Sequence, residues 1–538
     1  ASGSLSNTGC TTAAGYLAGN ALASGESENT LFGCEAGKEL TTGSGNTFVG
    51  GKVAEAVTTG SNNTAIGRDA FKVATTAEGN VVVGGSSGDS ITTGNNNTAV
   101  GYLSLAANTT GSQNSVLGKW AGHAITTGDY NTAVGYQALK TSTTARFNTA
   151  IGWSALAVCT AEGNTALGMS AGQSVTTGTD NTYVGLYAGL DTTTGSSNTS
   201  VGRDALKDTT TGDQNVAVGE NALEANTTAN TCTAIGYNAL KVNTVSGNTA
   251  VGKEALTANT TAEKNTALGL QAGKSMTTGG FNTAIGAYAV DNCTTGTYNT
   301  GVGVWAIRDL TTGNWNTALG GRAGMEMTTG SSNTAVGYEA LTANTTGKES
   351  IALGYRALTA LTTNDGCAAV GFEAGLKTTG GKNTLLGSEA CKELTSGISN
   401  VAIGWKTGDN LTTGDNNIII GDTATSSSAT VDNEITLGNS SITKFRIPGL
   451  SFTIDSTNIS AANNILPSAN NSKNLGSSSL RWANLYVNDM HFSNEGKTGG
   501  NDIDGTTGNW TLQEGADHLY IINNKTGKRY KMGLQEVD

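Results

Sequence analysis

Proline is almost missing from this chain: 538 residues hold two, Pro448 and Pro467, beside 76 glycines. Proline removes a ladder donor, so nothing in the first 447 residues interrupts a long array of β-strands. Aromatic residues make up 6% and charged residues 13%. So few large side chains cannot build a thick core; they suit a thin coil with tight turns and close backbone approach. No run of about 18 apolar residues occurs, so no membrane insertion is expected. The net charge of −12 argues against nucleic acid or an anionic membrane as partner. The opening ASGSLSNTG carries no leader pattern. All seven cysteines precede residue 400, with no CxxC and no metal spacing. They read as free, partly buried small residues, which suits assembly in a reducing cytosol.

Chemistry-bearing constellations are equally sparse. His123, His491 and His518 are scattered and have no Ser or Cys partner at motif spacing. Asp415 and Asp422, around DNNIIIGD, lack a twelve-residue calcium loop and read as a solvated turn. No GxGxxG or Walker phrase stands between a strand and a helix, so the glycines are turn glycines. No catalytic residue, cofactor or metal is expected, and the chain reads as non-enzymatic.

What fills the chain is one phrase repeated. Its clearest copy is NTAVGYQALKTSTTARF, Asn131 to Phe147, and 26 copies run from Thr11 to Glu434. Most steps are 17 residues; three are 16, beginning at Asn148, Cys232 and Cys367. A period this short cannot bury a core alone and must stack on its neighbours. The expected fold is all-β: a parallel β-solenoid, or β-roll, of about 26 rungs over residues 1–438. A C-terminal β-rich cap, trimerisation or attachment domain is expected over 439–538. At about 4.8 Å per rung the array is roughly 120 Å long.

With the Asn of each copy as offset zero, offset three is aliphatic in successive copies (Val134, Ile151, Leu167, Val184, Val201) and reads as an obligatory core position. Offset two is mostly Ala, and its exceptions, such as Leu31, Phe48 and Tyr183, are mostly apolar. Neighbouring strand residues point to opposite faces, so the strand is expected to be covered on both sides. A single coil covers one side. Identical chains around an axis are the simplest second cover, and a trimer is the expected form, although the period does not set the number. Gly at offset four ends the strand, and a second short strand is expected at offsets six to nine. Thr-Thr-Gly at offsets twelve to fourteen reads as a turn, shortened in the 16-residue copies. The Asn at offset zero is expected to form a stacked amide column. Gly, β-branched residues and the lack of a three-four apolar stripe argue against helix.

The phrases NTAVGYQA (Asn131 to Ala138) and NTAIGWSA (Asn148 to Ala155) resemble the head repeats of trimeric autotransporter adhesins, which fold as a trimeric left-handed parallel β-roll. NTAVGYxAL followed by Thr-Thr-Gly looks more specifically like the repeats of tail-fibre proteins from marine bacteriophages. The segments Asp432 to Gly449 and Asn474 to Asp489, the latter with Leu-Arg-Trp-Ala-Asn-Leu-Tyr, look like those near the distal ends of phage tail fibres and tailspikes. The resemblance implies a homotrimeric virion fibre that partners with itself and with other tail or appendage proteins and adheres to a host surface. The alternative is a cellular surface adhesin or extracellular filament subunit built on the same roll.

Beyond about Asn439 the period stops. Strands are expected at Phe445 to Ile447 and Leu450 to Ile454, a small core at Trp482, Leu485 and Val487, and a final hairpin pairing His518 to Ile522 with Lys528 to Met532. One surface pattern points to a ligand. Phe281, Tyr298 and Trp315 share one offset in successive copies, and Tyr288 and Trp305 share another. The pattern reads as a self-stacking ladder or as a platform for host-surface glycan. Thr columns also raise ice binding, which the Gly-ended turn disfavours.

Overall fold

The computed structural model describes residues 10–23, 28–447, 452–455, 459–461, 479, 487, 489–493 and 506–533. Two compact units emerge, Ala1–Asn439 and Ser440–Asp538. The first is a parallel β-solenoid. Twenty-six three-residue strands, β1 (Thr12–Ala14) to β26 (Ile435–Leu437), form one parallel sheet with one strand per copy. Pairing is in register throughout. In β8 (Thr132–Val134) and β9 (Thr149–Ile151), Thr132 faces Thr149, Ala133 faces Ala150 and Val134 faces Ile151. The 16-residue copies keep that register: Thr149 faces Thr165 and Ala368 faces Thr384. The residue they lack comes from the Thr-Thr turn. Asn148 there donates to a carbonyl 13 residues on, Ala161, where full copies use one 14 residues on.

Strands stop after three residues because offset four is always Gly. Gly135 sits at φ 130°, a region closed to other residues. A Cβ on it would lie 2.3 Å from the carbonyl oxygen of Gly152 in the next rung. The expected second strand at offsets six to nine does not form. Gln137 (φ 57°) and Leu139 (φ 53°) adopt left-handed backbone there, so the segment turns where a strand would extend. Its amides still reach the adjacent rungs. Gln137 N donates to Lys119 O at 3.1 Å, Leu139 N to Ala155 O at 3.0 Å and Thr141 N to Ala157 O at 3.1 Å. Bonding between rungs therefore continues round the coil without strand geometry, which satisfies the buried backbone.

The Asn column forms. Asn131 N donates to Asn114 Oδ1 at 3.0 Å, and Asn131 Oδ1 accepts from Asn148 N at 3.1 Å. Its Nδ2 donates to Ala145 O at 2.9 Å and closes its own rung. Each amide thus ties a rung to its neighbours and to itself. Where Cys232 replaces Asn, Asn243 supplies the amide: its Nδ2 donates to Val245 O at 2.8 Å, and its Oδ1 accepts from Asn248 Nδ2 at 2.9 Å. The first Thr of the turn builds a second ladder, as Thr126 Oγ1 donates to Thr143 O at 3.1 Å. That hydroxyl proton is committed to the next rung, not to an outer layer of water.

The core is narrow. Offsets two and seven are buried, as at Ala133 and Ala138. Offset three is not a core position in this chain: Leu117 is 50% and Leu268 47% exposed. Strand alternation sends offset two into the coil and offset three outward, so the strand is covered on one side only. Core volume is shared between offsets eight and eleven. Leu139 pairs with Ser142 and Leu105 with Asn108, while Gly122 pairs with Ile125 and Gly273 with Met276. One position fills the space the other leaves, which holds density constant along the coil. Tyr183 is the extreme case. It is fully buried at offset two, and a Cβ on Gly189 would lie 2.1 Å from its ring.

Five of the seven cysteines, Cys159, Cys232, Cys293, Cys367 and Cys391, are buried, while Cys10 and Cys34 are exposed. Burial pushes the Cys159 and Cys293 thiols up to about 11 and Cys391 up to about 12, from an ordinary 9.0. Unfolded thiols ionise first, so this stabilising contribution is complete below pH 9 and is lost as the pH rises toward 11–12. With a disulfide-exchange reagent at pH 8, two of seven thiols should react at once and five only on unfolding. Immediate reaction of all seven would contradict the buried positions.

The second unit is antiparallel. β27 (Lys444–Ile447), β28 (Phe452–Asp455) and β29 (Ile459–Ala461) form one sheet. β30 (Asp489–Ser493), β31 (Asn509–Glu514), β32 (Leu519–Asn523) and β33 (Arg529–Lys531) form another. The final hairpin pairs β32 with β33. Its turn is held by Asn523 Oδ1, which accepts from the amides of Lys525 at 3.0 Å and Thr526 at 3.1 Å, and by Gly527 at φ 70°. Val487 is 49% exposed. Leu450, Trp482 and Leu485 lie outside the described residues.

Candidate functional surfaces

Among the described residues, no group of three His, Cys, Asp or Glu is placed to hold a metal ion, and no helix is long and apolar enough to cross a membrane. Asp415 serves the coil: its Oδ1 accepts from Ile398 N at 2.8 Å, and its own amide donates to Asp432 Oδ1 at 2.7 Å. What the chain presents is a set of surface columns, because each offset recurs once per rung.

The broadest lies on the outer face of the sheet. The first and third residues of every strand from Thr12 to Leu437 are Thr, Ser, Ala, Val, Ile, Leu or Phe, and none is buried. No charge or amide enters this stripe, in a chain that otherwise dots its surface with acids and bases.

Aromatic ladders flank it. Phe281 and Tyr298 stack with centroids 4.9 Å apart at 11°, and the Lys264 ammonium stands 5.0 Å from the Phe281 ring centre. Their faces are largely taken by one another and by lysine, which favours the structural ladder for that pair. Trp315, 61% exposed, stacks on no other ring among the described residues. Tyr288 and Trp305 are half-buried, and the Arg322 guanidinium lies 5.1 Å from the Trp305 ring centre. The structure thus brings Phe281 to Tyr298 and Trp305 to an arginine, but does not gather all five rings into one surface.

Other ladders share offset five: Tyr338–Tyr355 at 5.8 Å, Tyr355–Phe372 at 5.3 Å and Tyr136–Trp153 at 6.2 Å. At offset sixteen Tyr130 stacks on Phe147 at 5.3 Å. The same signal, rings at one offset in neighbouring copies, finds them in the sequence. Beside the Tyr338 ladder runs a chain of ion pairs: Arg322–Glu339 at 3.1 Å, Arg356–Glu373 at 3.4 Å and Lys392–Glu373 at 2.6 Å. Alternating signs at offset six, joined by Lys392 at offset nine, neutralise one another along the coil, a networked arrangement worth more than isolated surface pairs.

The fold and these columns define a parallel β-solenoid repeat protein. No family model, curated relative or solved structure matches the chain.

Proposed function

We propose that this chain is the structural shaft of a phage tail fibre or similar appendage, packed against sister copies as a homotrimer and contributing to host-surface adhesion. The observation that carries the reading is the uncharged outer stripe of the sheet. Its half-exposed aliphatic side chains repeat without a charged interruption through 26 rungs, where a standard stable interface buries about 800 Å² per partner. Exposed apolar patches of that extent are rare on monomers and mark contact surfaces. A sister copy is the fitting occupant, because its own stripe has the same length, the same rung spacing and no charge to bury. The array's stability then comes from repetition, with each rung supported by its neighbours.

The test is the mass in solution together with a low-resolution image. The expected result is a multiple of the 54.2 kDa chain mass, threefold for a trimer, in an elongated particle. A monodisperse monomer would break the packing argument, and a compact particle would break the fibre reading.

A further inference from the structure

A second feature of the shaft points to a ligand. The offset-five column from rung to rung reads Gly85, Tyr102, Lys119, Tyr136, Trp153, a span of about 19 Å at one rung per 4.8 Å. Trp120 and Lys140, at offsets six and nine, lie beside it. The Lys119 ammonium stands 4.4 Å from the Trp120 ring centre and 5.9 Å from that of Tyr102, and Lys140 stands 5.5 Å from Trp120. Trp120 leans on Tyr136 at 5.7 Å and 48°, and Tyr136 stacks on Trp153 at 6.2 Å. Tyr102, Tyr136 and Trp153 are exposed.

Two observations together separate this rib from the other ladders. First, its cations have no acid. Elsewhere the bases at these offsets are commonly paired, as in Arg203–Asp204, Lys274–Glu254, Arg308–Asp309 and Arg322–Glu339. Among the described residues neither Lys119 nor Lys140 has a carboxylate within ion-pair distance. Second, the acids are displaced. From Asn97 to Gly163 the only ones are Asp129 and Glu162, and Asp129 is paired with Arg146 at 3.0 Å. In a chain of net charge −12 this is a local reversal of sign. One ring of the rib also has no side chain over one face, as does Tyr338, which Gly321 precedes in its column. Gly85 precedes Tyr102 in the column, and a Cβ there would touch the ring at 3.5 Å. Glycine leaves that face without a side chain over it.

We infer that the rib from Tyr102 to Trp153 binds an acidic saccharide, carboxylated or phosphorylated, with ring faces packing on Tyr102 and Trp153 and the anionic groups meeting Lys119 and Lys140. Aromatic faces accept the apolar side of a pyranose, and cations resting on aromatic rings keep their charge available to an anion. The inference deepens the adhesive half of the proposed function and does not depend on the number of chains.

The experiment is calorimetry on the full chain with four probes: oligogalacturonate, its methyl ester, a phosphorylated oligomannose and single-stranded DNA. At least one acidic saccharide should bind, and the two acidic arms tell carboxylate from phosphate. Binding should weaken at least tenfold in Lys119→Ala/Lys140→Ala and in Trp153→Ala, fall with added salt, and stay unchanged in Phe281→Ala/Tyr298→Ala. Unchanged melting curves certify that the variants fold. Binding of neither acidic saccharide, equal binding of the methyl ester, indifference to the lysine pair, or tighter binding of the DNA would each overturn the site. Particle mass and shape of the same samples read the fibre proposal separately, so either idea can fail alone.

Discussion

Replacing Gly135 by alanine should cost about 3 kcal/mol or more and split the array at that rung. Two effects add. The backbone at φ 130° excludes an L side chain, and the new Cβ would meet the Gly152 carbonyl oxygen at 2.3 Å. That oxygen belongs to backbone locked by its own rung, so it cannot swing away as a flexible side chain would. The neighbouring Gly152 stacks on Gly168 in the same way, at 2.2 Å, so relief at one rung transfers strain to the next. Gly51 is the control. A Cβ there meets nothing within 4 Å, and Gly51→Ala should be neutral or slightly stabilising through the unfolded chain. Thermal unfolding followed by circular dichroism, with limited proteolysis to locate the break, reads both. If Gly135→Ala melts with Gly51→Ala, the close stacking of glycines does not define the coil.

Lysines at offset three should separate assembly from folding. Val134→Lys/Ile151→Lys places two charges on the outer stripe, where both side chains are half-exposed. The isolated coil has room for them, so its circular dichroism should be retained. Packed against sister copies, the same charges would be desolvated without partners at several kcal/mol each, enough to dissociate the assembly to single chains. Ala133→Lys/Ala150→Lys moves the charges one residue, onto positions with no exposed surface, and should unfold the array outright. Mass measurements paired with circular dichroism distinguish the outcomes. An assembly indifferent to lysines at 134 and 151 would show that the outer stripe is not the packing surface.

Much of this architecture was legible in the letters. The period gave the rungs, the invariant glycine gave the strand end, and the recurring Asn gave the amide column. These are local requirements repeated 26 times, so noise at one copy is averaged by the others. The final hairpin was visible because Asn523 to Gly527 is turn chemistry between two apolar runs. The aromatic ladders at offset five follow from the logic that picked out Phe281 and Tyr298, applied along the whole chain.

Other features were not legible. Offset three looks as apolar as any core position, and composition cannot tell an inward aliphatic from an outward one awaiting a partner. The segment after Gly135 contains Ala and Leu, which say nothing against a strand, yet its left-handed turns follow from closing a narrow loop in 17 residues. The exchange of volume between offsets eight and eleven involves residues three apart whose side chains meet only inside the coil. The unpaired Lys119 and Lys140 became distinct only when the pairing of other bases along the ribs was seen.

The sequence by itself determined a stack of equal, in-register rungs. Its spacing, its glycines and its Asn column permit no other repeating unit that satisfies the backbone. Tertiary structure decided which face each column occupies, because the direction of a side chain depends on how the loop closes. It also decided which charges neutralise one another, because that depends on neighbours 17 residues away in the chain and one rung away in space.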